Sequence, residues 1–181
     1  MANLSNFDGD MLLSGVDKAS VVAVSNIIVD TMMKWEYGFY AYPERITEQD
    51  VYFARDEFFK GEKEYQLEYQ AAFSGDGTGR WTFGNNVESL GRWLAEELKG
   101  SEKLKVLEQN SFSVQFIGTD VEPGCGVFNS LTGTLFHKKG DSLKNSVVNV
   151  DCQSLGEPTV EALMEHYGWE EQEAKEYLGF E

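Results

Sequence analysis

Residues 65–73 alternate strictly. Tyr65, Leu67, Tyr69, Ala71 and Phe73 take one set of positions, and Gln66, Glu68, Gln70 and Ala72 the other. A period of two puts the first set on one face of a pleated strand and the second set on the opposite face. Such a strand cannot stand alone. Its apolar face has to be laid against helices or another sheet, and its edges need neighbours. The next segment, Ser74-Gly75-Asp76-Gly77-Thr78-Gly79, reads as a glycine-rich reversal, and Arg80-Trp81-Thr82-Phe83 as the returning strand of a hairpin.

Other periodicities fill in the rest. Asp17 is placed to cap a helix over about residues 18–36, where Val21, Val24, Ile28, Met32 and Trp35 recur at helical spacing. The β-branched content of that segment leaves a pair of strands as the alternative. Ahead of it, residues 1–10 read as a polar lead-in. After it, Tyr37–Pro43 reads as an aromatic connector punctuated by Gly38 and Pro43. Thr47 and the acids behind it open a predicted helix carrying Val51, Ala54 and Phe58 and ending near Lys60-Gly61. Asn85 or Asn86 caps a helix with Val87, Leu90, Leu94 and Leu98 on its apolar side, closing near Gly100. Phe112, Val114 and Phe116 alternate again, and further strands follow at Val127–Phe128, Leu131–Phe136 and Val147–Val150. Pro158 suits a first helical position, and Val160, Leu163, Met164 and Tyr167 share one stripe. Gly168 breaks that helix, and Glu170–Leu178 forms a second one. The expected fold is α+β: an antiparallel sheet built from hairpins, packed by helices, with a C-terminal helix pair. Residues 1–156 form the core and residues 157–181 the acidic helical pair packed on it.

Charge is distributed unevenly. The 181 residues carry 31 Asp and Glu against 15 Lys and Arg, a formal net charge of −16. Residues 36–68 contribute −5 and residues 157–181 contribute −7, the latter relieved only by Lys175. Aromatic residues make up 13% of the chain, which supplies a core and separates it from disordered acidic sequences. A surface this negative repels nucleic acid and anionic membranes, and attracts proteins with basic clefts. No apolar run is long enough to span a bilayer. Met1-Ala2-Asn3-Leu4-Ser5-Asn6 has no basic segment before an apolar stretch, so no secretory signal is expected. Cys125 and Cys152 lack metal-ligand spacing, and reduced thiols in a cytoplasmic setting are expected, although neighbouring strands would let the two meet.

Sequence motifs do not point to catalysis. Gly75–Gly79 lacks the Lys-Ser/Thr of a phosphate-binding loop. Asp8-Gly9-Asp10 lacks the closing glutamate of a calcium loop. His137 and His166 have no partners at ligand spacing, and no serine sits in a nucleophile elbow. No cofactor and no metal are expected.

The candidate partner-binding residues are therefore acids and one aromatic. Glu157, Glu161 and Glu165 recur every four residues, so that on a helix they form a stripe stepping about 6 Å. Glu170, Glu171, Glu173 and Glu176 extend it, and Trp169 at the helix-pair turn is the expected exposed anchor. Asp50, Asp56, Glu57, Glu62 and Glu64 form the second cluster. Trp81 and Trp93 lie beside apolar stripes and are expected in the core.

In size, acidity and its clusters at Glu44–Glu68 and Glu157–Glu181, the chain resembles the small acidic inhibitors that phages and mobile elements direct against host nucleases. The type II-A anti-CRISPR proteins are the most similar in character. The resemblance implies an inhibitor seated in the basic cleft of a nucleic-acid-binding protein, Cas9 among them, with carboxylates standing in for phosphates. Two other readings stay open: a small enzyme or ligand-binding domain with a pocket between sheet and helices, and an accessory protein whose acidity serves solubility alone.

Overall fold

In the computed structural model, which describes residues 4–56 and 66–179, one antiparallel sheet of seven strands runs through the molecule. The strands are β1 (Leu4–Gly15), β2 (Phe39–Tyr42), β3 (Tyr52–Asp56), β4 (Leu67–Arg80), β5 (Phe112–Glu122), β6 (Val127–His137) and β7 (Val147–Ser154). Their order is β2-β4-β1-β5-β6-β7, with β3 also paired to β4. The helices are α1 (Lys18–Met32), α2 (Phe83–Glu97), α3 (Glu102–Glu108), α4 (Val160–Tyr167) and α5 (Glu171–Leu178). The chain is α+β with a C-terminal helix pair. None of the described helices is long and apolar enough to cross a membrane.

The first three helices cover one face of the sheet. Val21, Val24, Ile28 and Met32 of α1 and Val87, Leu90 and Leu94 of α2 bury against Phe7, Met11 and Leu13 of β1, Phe73 of β4 and Val114 and Phe116 of β5. Asp17 caps α1: its carboxylate accepts from the Ser20 N–H at 2.7 Å, and residues 18–32 are a helix rather than a strand pair. Trp93 stacks on Trp35 at 4.2 Å, joining α2 to the end of α1. Helix α3 has no counterpart among the elements expected from periodicity. Ser101 caps it, and Leu107 is its one fully buried residue.

Four segments differ from expectation, for one reason each. Residues 4–15 are a central strand, not a lead-in. Phe7, Met11 and Leu13 point to the helices, while Asn6, Asp8 and Asp10 point away. The aromatic connector contains β2, whose Phe39 and Ala41 are core residues. The helix expected after Thr47 stops after one 3-10 turn, Glu48–Asp50, because Tyr52 and Phe53 pair with Gln70 and Tyr69 of β4.

The largest difference lies in the glycine-rich segment. Residues 74–79 do not reverse. They continue β4 to Arg80, pairing with β2 on one side and β1 on the other. A Cβ on Gly77 would sit 2.5 Å from the Phe83 ring, so glycine is there to admit an aromatic side chain and not to turn the chain. Phe83 stacks on Phe7 at 4.5 Å and meets Phe116 edge-on at 5.3 Å. Arg80–Phe83 is thus no returning strand. Trp81 takes a left-handed conformation (φ 74°) that allows an abrupt entry into α2, and it is 54% exposed instead of buried. Thr82 occupies the cap position expected at Asn85 or Asn86. The Asn86 amide instead donates to the Tyr37 and Thr78 carbonyls, tying α2 to the turn before β2 and to β4.

Candidate functional site

Helices α4 and α5 pack on the opposite face of the sheet, at one end of it. Thr159 caps α4, its hydroxyl accepting from the Ala162 N–H at 3.1 Å, so Pro158 precedes the helix instead of opening it. Gly168 ends α4 with a left-handed φ of 70°. Glu170 and Glu173 then form a capping box at the start of α5, with the Glu170 N–H donating to Glu173 Oε2 at 2.9 Å. Leu163 and Ala174 bury against Val121 of β5 and Phe128 of β6.

A run of rings ties this pair to the sheet. His166 meets Phe128 edge-on at 5.4 Å, Tyr167 stacks on Trp169 at 4.4 Å, and Trp169 inclines against Tyr177 at 5.0 Å. The Tyr167 hydroxyl bonds to the Thr119 hydroxyl. Trp169 is therefore half-buried within a ring stack and is not a free-standing anchor.

Between these rings and the sheet lies a groove of about 290 Å³. Asn6, Phe7 and Asp8 of β1 and Asp76, Gly77 and Thr78 of β4 form its floor, and Tyr167, Trp169 and Tyr177 form its wall. Asp8 stands directly across from Asp76, and Asp10 directly across from Ser74, whose hydroxyl it accepts at 2.7 Å. Burial, then the charges of Asp76 and Asp10, raise the Asp8 carboxyl above the usual carboxylate range. Burial likewise pushes the Tyr177 hydroxyl up to about 12. Among the described residues no lysine or arginine is ion-paired with Asp8, Asp10 or Asp76.

Sequence reasoning missed this groove. It set Asp8 and Asp10 in a lead-in and Asp76 in a turn, and only the β1–β4 register brings them together. The alternation Phe7, Gly9, Met11, Leu13 was the available signal, masked by the polar residues between.

The predicted acids fall out as follows. Glu161, Glu165, Glu170, Glu171, Glu173 and Glu176 are all exposed on α4, α5 and the turn between them. Glu157 is exposed but precedes α4, so the four-residue stripe holds only for Glu161 and Glu165. Glu171 is ion-paired with Lys175, and Glu176 accepts from Gln172 at 3.0 Å. Asp50 is exposed and is occupied in capping its own turn: it accepts from the Thr47 N–H and hydroxyl, which hold its carboxyl below the usual range. Asp56 lies at the end of β3, and Glu57, Glu62 and Glu64 lie outside the described residues.

A second acidic pair sits on the inner face, at the start of α2. Asp120 and Glu122 of β5 are buried there beside Ser5. Asp120 Oδ2 accepts from the Phe83 N–H at 2.9 Å and so caps α2 from another strand. Asp120 Oδ1, Glu122 Oε2 and Ser5 Oγ have no hydrogen-bond partner of proper geometry. Burial raises the Asp120 carboxyl to about 6, against the opposing pull of the adjacent Ser5 hydroxyl and the Phe83 N–H. Cys152 is a free thiol, pushed up by burial and by Asp120, which leaves it a poor nucleophile. His137 is fully buried, with Nδ1 at 3.2 Å from Ser146 Oγ, and burial lowers its pKa. No cluster of three or more metal-ligating side chains occurs among the described residues. The chain matches no family model, no curated protein and no solved structure.

Proposed function

We propose that this protein binds a basic nucleic-acid-binding protein, of the nuclease kind, by setting its C-terminal acidic face into the partner's cleft. The observation that carries the reading is the packing of that acidic face on the sheet. Both helices are capped, they pack on the sheet through Leu163 and Ala174, and they stand beside a second acidic group on the sheet itself. Carboxylates carried on packed helices need no backbone ordering on binding, and their approach releases counterions from a basic cleft. Glu161 and Glu165, one helical turn apart, step by about 6 Å along the helix axis.

The test is competition. Immobilised protein is challenged with basic nucleases, Cas9 with its guide RNA included, in the presence and absence of duplex DNA. Capture should compete with DNA and should weaken steeply between about 50 and about 200 mM salt. Replacing Glu161, Glu165, Glu170, Glu173 and Glu176 together by Gln should abolish it. Binding that ignores salt, or that leaves DNA engagement intact, refutes the proposal.

A further inference from the structure

From the groove between the ring stack and the sheet we infer a binding site for a single guanidinium side chain, an arginine presented by the partner. The inference rests on the proposed function for its context and adds a specific point of recognition to a face that is otherwise only negative.

Three observations converge. First, the groove is small. At about 290 Å³ it lies at the lower limit of sites for drug-sized ligands, a size suited to one side chain rather than an extended segment. Second, its wall is aromatic. Trp169 is stacked on Tyr167 and braced by Tyr177, so the rings are held in place before a ligand arrives. A cation resting against such rings is attracted by their quadrupoles, most strongly for tryptophan. Third, its floor is anionic, and among the described residues no lysine or arginine is ion-paired with it. Asp8 and Asp76 face each other across β1 and β4, and like charges directly opposite on neighbouring strands repel. A cation between them reverses that sign. Asp10, one pleat further, extends the negative floor away from the rings.

The same features select guanidinium over ammonium. A planar, delocalised cation stacks on a ring while its edge donates to carboxylates, whereas a lysine ammonium meets both demands poorly at once. The Asp8 and Asp76 carboxylates, the acceptors on the floor, line the same groove as Tyr167, Trp169 and Tyr177.

The experiment is an NMR titration of the full chain with acetyl-arginine methylamide, with acetyl-lysine methylamide in parallel. The arginine probe should produce saturable shifts at the Trp169 indole N–H and at the backbone of residues 6–8 and 76–78. Lysine should bind about tenfold more weakly. Asp76→Asn and Trp169→Phe should each weaken the arginine probe about tenfold while leaving the remaining amide spectrum in place. Shifts that never saturate, that spread over all acidic surfaces, or that are equal for lysine overturn the inference, as does unchanged arginine binding in Asp76→Asn. The two readings separate cleanly. Loss of arginine binding with nuclease capture intact sinks the groove and leaves the acidic face. Arginine binding in the groove with no capture of a basic nuclease sinks the proposed function and leaves the groove.

Discussion

Replacing Asp120 by Asn tests the energetics of the buried acidic pair. Asp120 is fully shielded on the inner face of β5, with one oxygen accepting from the Phe83 N–H and the other without a partner. Burial lifts its ionisation from 3.8 to about 6 in the folded protein. The sign follows from which state releases the proton first. Below pH 3.8 both states hold it, and the group's contribution to stability is fully present. Between 3.8 and about 6 the unfolded chain ionises while the folded one does not, so that contribution is progressively lost, and above about 6 it is gone. At about 1.36 kcal/mol per pH unit separating the two ionisations, the loss amounts to about 3 kcal/mol. Asparagine keeps an oxygen to accept from Phe83 and has nothing to ionise. Urea unfolding of both chains from about pH 4 to about pH 7 reads the effect as a difference. The Asp120→Asn variant should gain on the original by about 3 kcal/mol across that range. His137 acts in the opposite sense over the same window, but both chains carry it, and it cancels. A stability difference that stays flat with pH would refute the burial argument.

Three further outcomes are expected. Gly77→Ala places a methyl 2.5 Å from the Phe83 ring and should cost about 1–3 kcal/mol in urea unfolding, whereas a neutral result would return residues 74–79 to a turn. Thr159→Ala removes the cap from Ala162 and should cost about 1 kcal/mol, appearing as faster amide hydrogen exchange in α4; unchanged exchange there contradicts the cap. The His137 ring should titrate below 6.5 by NMR because burial disfavours its charged form, so the stability it contributes is present above 6.5 and lost as pH falls below it; a midpoint at or above 6.5 contradicts this.

Much of the architecture was legible locally. The helical spacing of α1 and its Asp17 cap, the alternation opening β4, the run of β5 to β7, and the Gly168 break between α4 and α5 are all written in short stretches of sequence. Each depends on a period or a cap that a window of about ten residues contains. The failures share a cause. Gly75 and Gly77 look like turn chemistry, yet neither has a positive φ; they are small because Tyr40 backbone and the Phe83 ring press against them. Residues 4–10 look like a polar tail because only their inward half, Ser5 and Phe7, touches the core. Val51 and Ala54 fitted a helical stripe, but Tyr52 and Phe53 between them pair with β4 as a strand. The groove was illegible for the same reason, since its acids come from β1 and β4 and its rings from the far end of the chain.

Composition and periodicity by themselves determined that this chain folds as α+β, that it is strongly acidic, and that two short helices rich in glutamate, Val160–Tyr167 and Glu171–Leu178, lie near its C-terminal end. Propensity, patterning and net charge are local or additive quantities, and so a one-dimensional string carries them. Only the tertiary structure decided that a glycine-rich run is a strand, that Asp120 caps a helix 37 residues away, and that Asp8 and Asp76 meet beneath Trp169. Those outcomes depend on strand register and on which side chain fills which space. Both are settled by contacts between residues far apart in the chain, where no local signal reaches.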